Sequence, residues 1–178
     1  MTSTGELTSL LTRHIRDVPD YPKPGILFKD ISPLLADPDA FAATVSALAE
    51  PFGAGDVDKV VGIEARGFIL AAPVALQLRA GFVPVRKKGK LPSQTHEVSY
   101  ALEYGEATLE VHQDAFEPGE RVLIVDDVLA TGGTVQATVE LVRRCAAEVL
   151  GVAVLMELEF LNGRDKLRGI DLRALLAT

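Results

Sequence analysis

The sequence is poor in cysteine, in positive charge and in long apolar runs, and each shortage excludes something. Cys145 is the only cysteine, so neither an intrachain disulfide nor a cysteine-built zinc cage can form, which suits an intracellular protein. It reads as a small apolar side chain in its helix. No stretch approaches the ~18 apolar residues that a membrane span needs, and the N-terminus shows no signal-type segment. The expectation is a cytoplasmic chain with no membrane partner. A net charge of −7 and a pI near 5.0 argue against a generic nucleic-acid binder, so the expected ligand is small. The common nucleotide motifs are missing too. There is no Walker A pattern, and Gly53-Ala54-Gly55 is followed at the sixth position by Asp58, not by the glycine of a dinucleotide fingerprint. His96-Glu97 opens like a metalloprotease helix, but Tyr100 occupies the second histidine position, so no metal site built from protein ligands is expected.

What is present fits one α/β domain. The 178 residues are 48% hydrophobic, enough for a real core. Leu7, Leu10, Leu11 and Ile15 share one helical face between residues 3 and 17, where Ser3 and Glu6 could form a capping box. His14 in that helix reads as a surface or partner contact. Pro19, Pro22, Pro24 and Gly25 then force an extended, turn-rich passage before a short strand at 26–28. A helix starts at Pro38, with Asp37 as its cap, and is expected to end at Gly53. Buried strands are expected at 59–63, 82–85 and 149–156, a helix at 68–78, a mobile loop at 91–99, and hairpin strands at 100–103 and 107–112 around Gly105. A short helical or turn segment at 163–168 and an edge strand at 172–176 complete the chain.

The most informative stretch is 122–134. Val122-Leu123-Ile124-Val125 is an unbroken apolar run, suited to a strand buried on both faces of a parallel sheet, and it ends in Asp126-Asp127. A Thr131-Gly132-Gly133-Thr134 turn then opens a helix whose apolar stripe is Val135, Val139, Val142 and Ala146. Vicinal carboxylates can accept hydrogen bonds from sugar hydroxyls. A helix start with free N–H groups, and glycines that let the backbone approach, suits a phosphate. The order predicts a ribose 5-phosphate cradle at a sheet's carboxyl edge. A second strand, at 82–85, runs into Arg86-Lys87-Lys88-Gly89-Lys90, where four of five residues are basic in an acidic chain. That cluster asks for an anion. A third polar segment, Glu64-Ala65-Arg66-Gly67, follows the strand at 59–63. By spacing alone, Glu103 is an exposed hairpin glutamate.

These residues carry a resemblance. The stretch 122–134 resembles the phosphoribosyl-pyrophosphate (PRPP) signature of the type I phosphoribosyltransferases. The blocks at 21–33, 64–68, 86–92 and 100–105 resemble the branch of that family that uses adenine. The resemblance implies a mainly parallel twisted sheet flanked by helices, with a small N-terminal base-binding hood within residues 1–35 and a flexible loop and hairpin at 86–112. It implies that Asp126 and Asp127 hold the ribose hydroxyls and that Ala130, Thr131, Gly132, Gly133 and Thr134 hold the 5-phosphate. Glu64, Ala65 and Arg66, with Arg86, Lys87 and Lys90, would hold pyrophosphate, and a non-proline cis peptide is expected at Glu64-Ala65. Leu27, Phe28 and Lys29 would bind adenine, Phe28 by stacking. Lys29 stands where some relatives carry arginine, which puts a bidentate contact there in doubt. Glu103 would move the proton near N7 of the base and Tyr104 would help close the site. The implied reaction turns adenine and PRPP into AMP and pyrophosphate with Mg²⁺ carried by PRPP, in a homodimer. A transferase for xanthine, hypoxanthine or guanine, or a non-catalytic PRPP-sensing regulator, are the alternatives; Phe28-Lys29 and the 102–104 block argue against the first, and the acidic charge against the second.

Overall fold

The computed structural model describes residues 4–102 and 105–178, which group into two compact units, Met1–Ala47 and Leu48–Thr178. In the first, α1 (Thr4–His14) buries Leu11 and stops three residues earlier than its periodicity suggests. The reason is a strand without a pattern of its own. β1 (Arg16–Pro19) pairs antiparallel with β2 (Leu27–Asp30), and Arg16–Asp30 at 2.5 Å and Lys29–Asp17 at 2.7 Å tie the ribbon. Ser3 of the proposed capping box lies outside the described residues. A short helix that the sequence reading missed, α2 (Ser32–Ala36), has Pro33 in its first turn and leads to α3 (Pro38–Ala49). Asp37 caps α3 as expected, accepting the Ala40 N–H at 2.8 Å. The helix closes at Ala49, before Gly53.

The second unit is built on one seven-stranded sheet. In chain order its strands are β3 (Lys59–Ile63), β4 (Gly81–Lys87), β5 (Thr95–Ala101), β6 (Glu106–His112), β7 (Arg121–Leu129), β8 (Glu148–Glu157) and β9 (Leu172–Ala177), arranged 5-6-4-3-7-8-9 across the sheet. The strands from β4 to β9 in that arrangement run parallel, while β6 and β5 are antiparallel additions on the β4 side. Val60, Val61, Ile63 and Val122 to Val125 are almost wholly buried, as unbroken apolar strands under helices should be. The helices are α4 (Arg66–Leu78), between β3 and β4, and α5 (Gly133–Arg144), between β7 and β8. The two crossovers leave the centre in opposite directions, so right-handed connections place α4 and α5 on opposite faces. No helix among the described residues is long and apolar enough to cross a membrane.

Three boundaries differ from the sequence reading. Thr95 to Ser99, expected as loop, belongs to β5, because pairing with β6 orders a polar segment in which only Val98 is buried. Arg86 and Lys87 complete β4 and do not follow it; their partners are Glu110 and Leu109 of β6. The strand before the Thr-Gly-Gly-Thr turn runs through both carboxylates to Leu129, because β8 continues beside it, pairing Val154 with Asp126 and Met156 with Val128. The edge strand β9 and the short turn Gly163–Leu167 lie where they were expected.

Candidate active site

Strand order reverses at the centre of the sheet. From β3 the chain moves through α4 to β4 on one side, and β7 lies on the other, with its own crossover leading away. The carboxyl ends of β3 and β7 therefore flank a topological switch point, where open α/β sheets hold ligands. Both polar segments, 64–67 and 126–134, emerge there.

Asp126 and Asp127 are buried within β7, and strand alternation sends their side chains to opposite faces. On the α4 side, a Cβ on Gly67 would lie 2.7 Å from Asp126 Oδ1, so only glycine lets the helix start sit against this carboxylate. The Asp127 N–H donates to Asp126 Oδ1 at 2.9 Å. Burial, reinforced by the neighbouring Asp127 charge, pushes the Asp126 carboxyl well above the ordinary carboxylate range. On the other carboxylate, Arg66 Nε stands 2.7 Å from Asp127 Oδ2. That oxygen is buried and, among the described residues, receives no hydrogen bond of good geometry.

The turn after β7 starts α5 without a side-chain cap; Gly132 holds the N-cap position at φ 78°, in the left-handed region that favours glycine. The turn is braced from behind. A Cβ on Gly132 would collide with the Gly163 carbonyl oxygen, and one on Gly163 would collide with that of Ala130. Thus Gly163, expected only as the start of a turn, sets the shape of the 130–133 backbone. A Cβ on Gly133 would lie 3.0 Å from the Tyr100 ring and 3.8 Å from Lys166 Nζ. The Tyr100 hydroxyl is 2.9 Å from Thr134 Oγ1, so the hairpin strand β5 reaches the turn directly. Thr131 is exposed.

Glu64 organises the basic segment. Its carboxylate accepts the Lys87 N–H at 2.9 Å and Lys90 Nζ at 2.5 Å, and Arg86 Nε lies 3.3 Å away. Burial works to raise its pKa, but the Lys90 hydrogen bond, the Lys87 N–H and the charges of Lys90 and Arg86 outweigh it and lower the net value. The Glu64 N–H is also engaged, donating to the Val85 carbonyl at 2.9 Å. As expected, the Glu64-Ala65 peptide is cis. Ala65 is the uncapped N-cap of α4, so the helix start beyond it offers N–H groups without side-chain partners. A second buried carboxylate, Glu110 of β6, accepts the Lys90 and Leu91 N–H groups at 2.8 and 2.7 Å. Burial raises its pKa and those backbone donors, with that of Gly89, lower it further. Neither Glu110 nor Tyr100 carries a sequence signal for this role, since both act across strand pairings.

Among the expected adenine contacts, Phe28 is half-buried and packs edge-on to Tyr21 with ring centroids 5.1 Å apart. Leu27 is exposed, and the Lys29 ammonium is engaged by Asp17. Glu103 and Tyr104 lie outside the described residues.

Residues 32–171 match the family described as phosphoribosyl transferase domain. A Nocardioides adenine phosphoribosyltransferase is 67% identical over 166 residues, spanning 91% of this chain and 90% of its own. The crystal structure of the Rhodothermus marinus adenine phosphoribosyltransferase matches with a TM-score of 0.93 at 53% identity, covering 98% of this chain and 99% of that one. The Saccharomyces cerevisiae enzyme, crystallised with adenine and an imino-altritol bisphosphate, gives 0.91 at 39% identity over 97% and 99%.

Proposed function

The chain belongs to the phosphoribosyl transferase family and has its type I fold; from that premise we propose that it transfers the 5-phosphoribosyl group of PRPP to N9 of adenine, giving AMP and pyrophosphate. The observation that carries this reading is the meeting, at one switch point, of a carboxylate pair, a glycine-shaped helix start and strand-anchored cations. In this reading Asp126 and Asp127 take the ribose hydroxyls. Their oxygens can accept hydrogen bonds from both hydroxyls. The N–H groups of 130–134 and the N-terminus of α5 take the 5-phosphate.

Bond cleavage puts positive character on ribose C1 and negative charge on the departing pyrophosphate. Cations fixed beforehand stabilise that charge more in the transition state than in the ground state. Arg66, Arg86 and Lys90 supply this, with the Ala65 and Arg66 N–H groups at the start of α4. Mg²⁺ would come with PRPP. The buried, under-satisfied Asp127 Oδ2 fits a site that completes its contacts only when substrate enters. When bound, Mg²⁺ neutralises pyrophosphate charge. Leu27 to Lys29 take the base, with Phe28 stacking, and Glu103 holds or returns the proton near N7, a service worth ~10² to 10⁴-fold when well placed. Closure by Tyr104 keeps water from PRPP. The working form is a cytoplasmic homodimer, which sedimentation tests.

The decisive assay offers adenine, guanine, hypoxanthine and xanthine separately with PRPP and Mg²⁺. AMP formation from adenine is expected, and turnover of the other purines without adenine would overturn the assignment. Glu103→Gln is expected to lower turnover while PRPP still binds.

A further inference from the structure

The cradle assigned to the 5-phosphate contains no cation: Ala130, Thr131, Gly132, Gly133 and Thr134 offer only N–H groups, hydroxyls and a helix terminus. A phosphate monoester is close to dianionic at neutral pH, and a helix start supplies only about half a positive charge. We propose that Lys166 is the counter-cation of the 5-phosphate. The assignment rests on the phosphoribosyl reading above and adds to it a residue from a different part of the chain.

Two observations place it. Lys166 Nζ lies 3.8 Å from the point a Gly133 Cβ would occupy, so the ammonium stands beside the backbone that opens α5. The segment that carries it cannot drift, because Gly163 is seated against the Ala130 carbonyl and Gly132, and any added Cβ on either side would collide. Lys166 thus belongs to a turn whose first residue is locked to the cradle. Its neighbours are already committed. Arg164 pairs with Glu157 at 2.5 Å and Arg168 with Asp165 at 3.2 Å, whereas Lys166 makes no ion pair among the described residues. The turn therefore keeps one uncompensated ammonium, next to the place where a dianion is expected. Its exposure lets the flexible stem swing over the phosphate from the solvent side.

The test compares ligands with and without the 5-phosphate. Titration of the full chain and of Lys166→Met with ribose 5-phosphate, AMP and inorganic pyrophosphate is expected to weaken the first two about tenfold, as for loss of a hydrogen bond to a charged group. Pyrophosphate should bind equally to both, and Lys166→Arg should recover most of the loss. Equal ribose 5-phosphate affinity in the unaltered chain and Lys166→Met would overturn the assignment, as would equal weakening of pyrophosphate. If the unaltered chain itself failed to bind ribose 5-phosphate, the functional reading would fall, and this assignment with it.

Discussion

The hydroxyl of Tyr100 on β5 meets Oγ1 of Thr134 on α5 at 2.9 Å, joining two residues 34 positions apart. The β5–β6 pair is thereby fastened to the helix start that would hold the 5-phosphate. Gly133 makes the approach possible, since a Cβ there would press on the Tyr100 ring.

Tyr100→Phe keeps the ring and removes the bond. A hydrogen bond of this kind contributes about 1 kcal/mol, so the KM for PRPP should rise roughly three- to tenfold. Steady-state kinetics with adenine saturating would show it, and an unchanged KM would mean that the hydroxyl contact has no part in binding.

Gly163→Ala puts a methyl group into the Ala130 carbonyl. Overpacking of this type costs about 1–3 kcal/mol. Because the displaced atoms belong to the cradle, ribose 5-phosphate affinity should fall together with the urea midpoint. Full affinity in a folded variant would show that the turn is not braced from behind.

Glu64→Gln should destabilise the protein in a pH-dependent way. The Glu64 pKa is lowered from 4.5, since the Lys90 and Lys87 contacts and the nearby charges outweigh burial. The folded state then binds fewer protons than the unfolded one. Its stabilisation is present above pH 4.5 and is lost as the pH falls through the folded value. Urea unfolding of both proteins from pH 7 down to pH 3 should show their midpoints converging, and a constant gap would contradict the linkage.

Asp126 has the opposite sign. Its pKa is raised above 3.8, first by burial and then by Asp127, so the folded state holds a proton that the unfolded chain gives up. Stability falls as the pH rises from 3.8 through the folded value. Asp126→Asn keeps the oxygen that accepts the Asp127 N–H and removes the titration. It should be more stable than the parent at pH 8, by a margin that shrinks toward pH 4. No gain at pH 8 would mean that the carboxylate is comfortable where it is.

The centre of the sheet was legible because Val60, Val61, Ile63 and Val122 to Val125 have no polar alternative; helices on both faces are what such runs require. The turn at 131–134 was legible for a related reason, since adjacent glycines before a helical stripe have few other uses. What the sequence hid depends on partners. Arg16 to Pro19 becomes a strand only through the β2 edge and the Arg16–Asp30 and Lys29–Asp17 pairs. Thr95 to Ser99 looks like loop until β6 supplies its hydrogen bonds. Asp126 and Asp127 read as the end of a strand, although β8 carries the pairing past them. Within the site, the resemblance implies Glu64 for the pyrophosphate turn, and nothing in the sequence signals that its carboxylate also holds Lys90 and Arg86. Tyr100, Glu110, Gly163 and Lys166 reach the site through tertiary contacts that no local pattern announces.

The cations expected to meet pyrophosphate do not wait alone. Arg66 faces Asp127 at 2.7 Å, while Arg86 and Lys90 share Glu64 at 3.3 and 2.5 Å. In the proposed role, the site would act like a loaded ion exchanger. An incoming anion has to outcompete carboxylates built into the chain, which a chloride does poorly and a multiply charged pyrophosphate group does well. If these residues hold pyrophosphate as proposed, the same internal counter-ions would reclaim their partners as it departs, so three bare cations would not be left in a crevice.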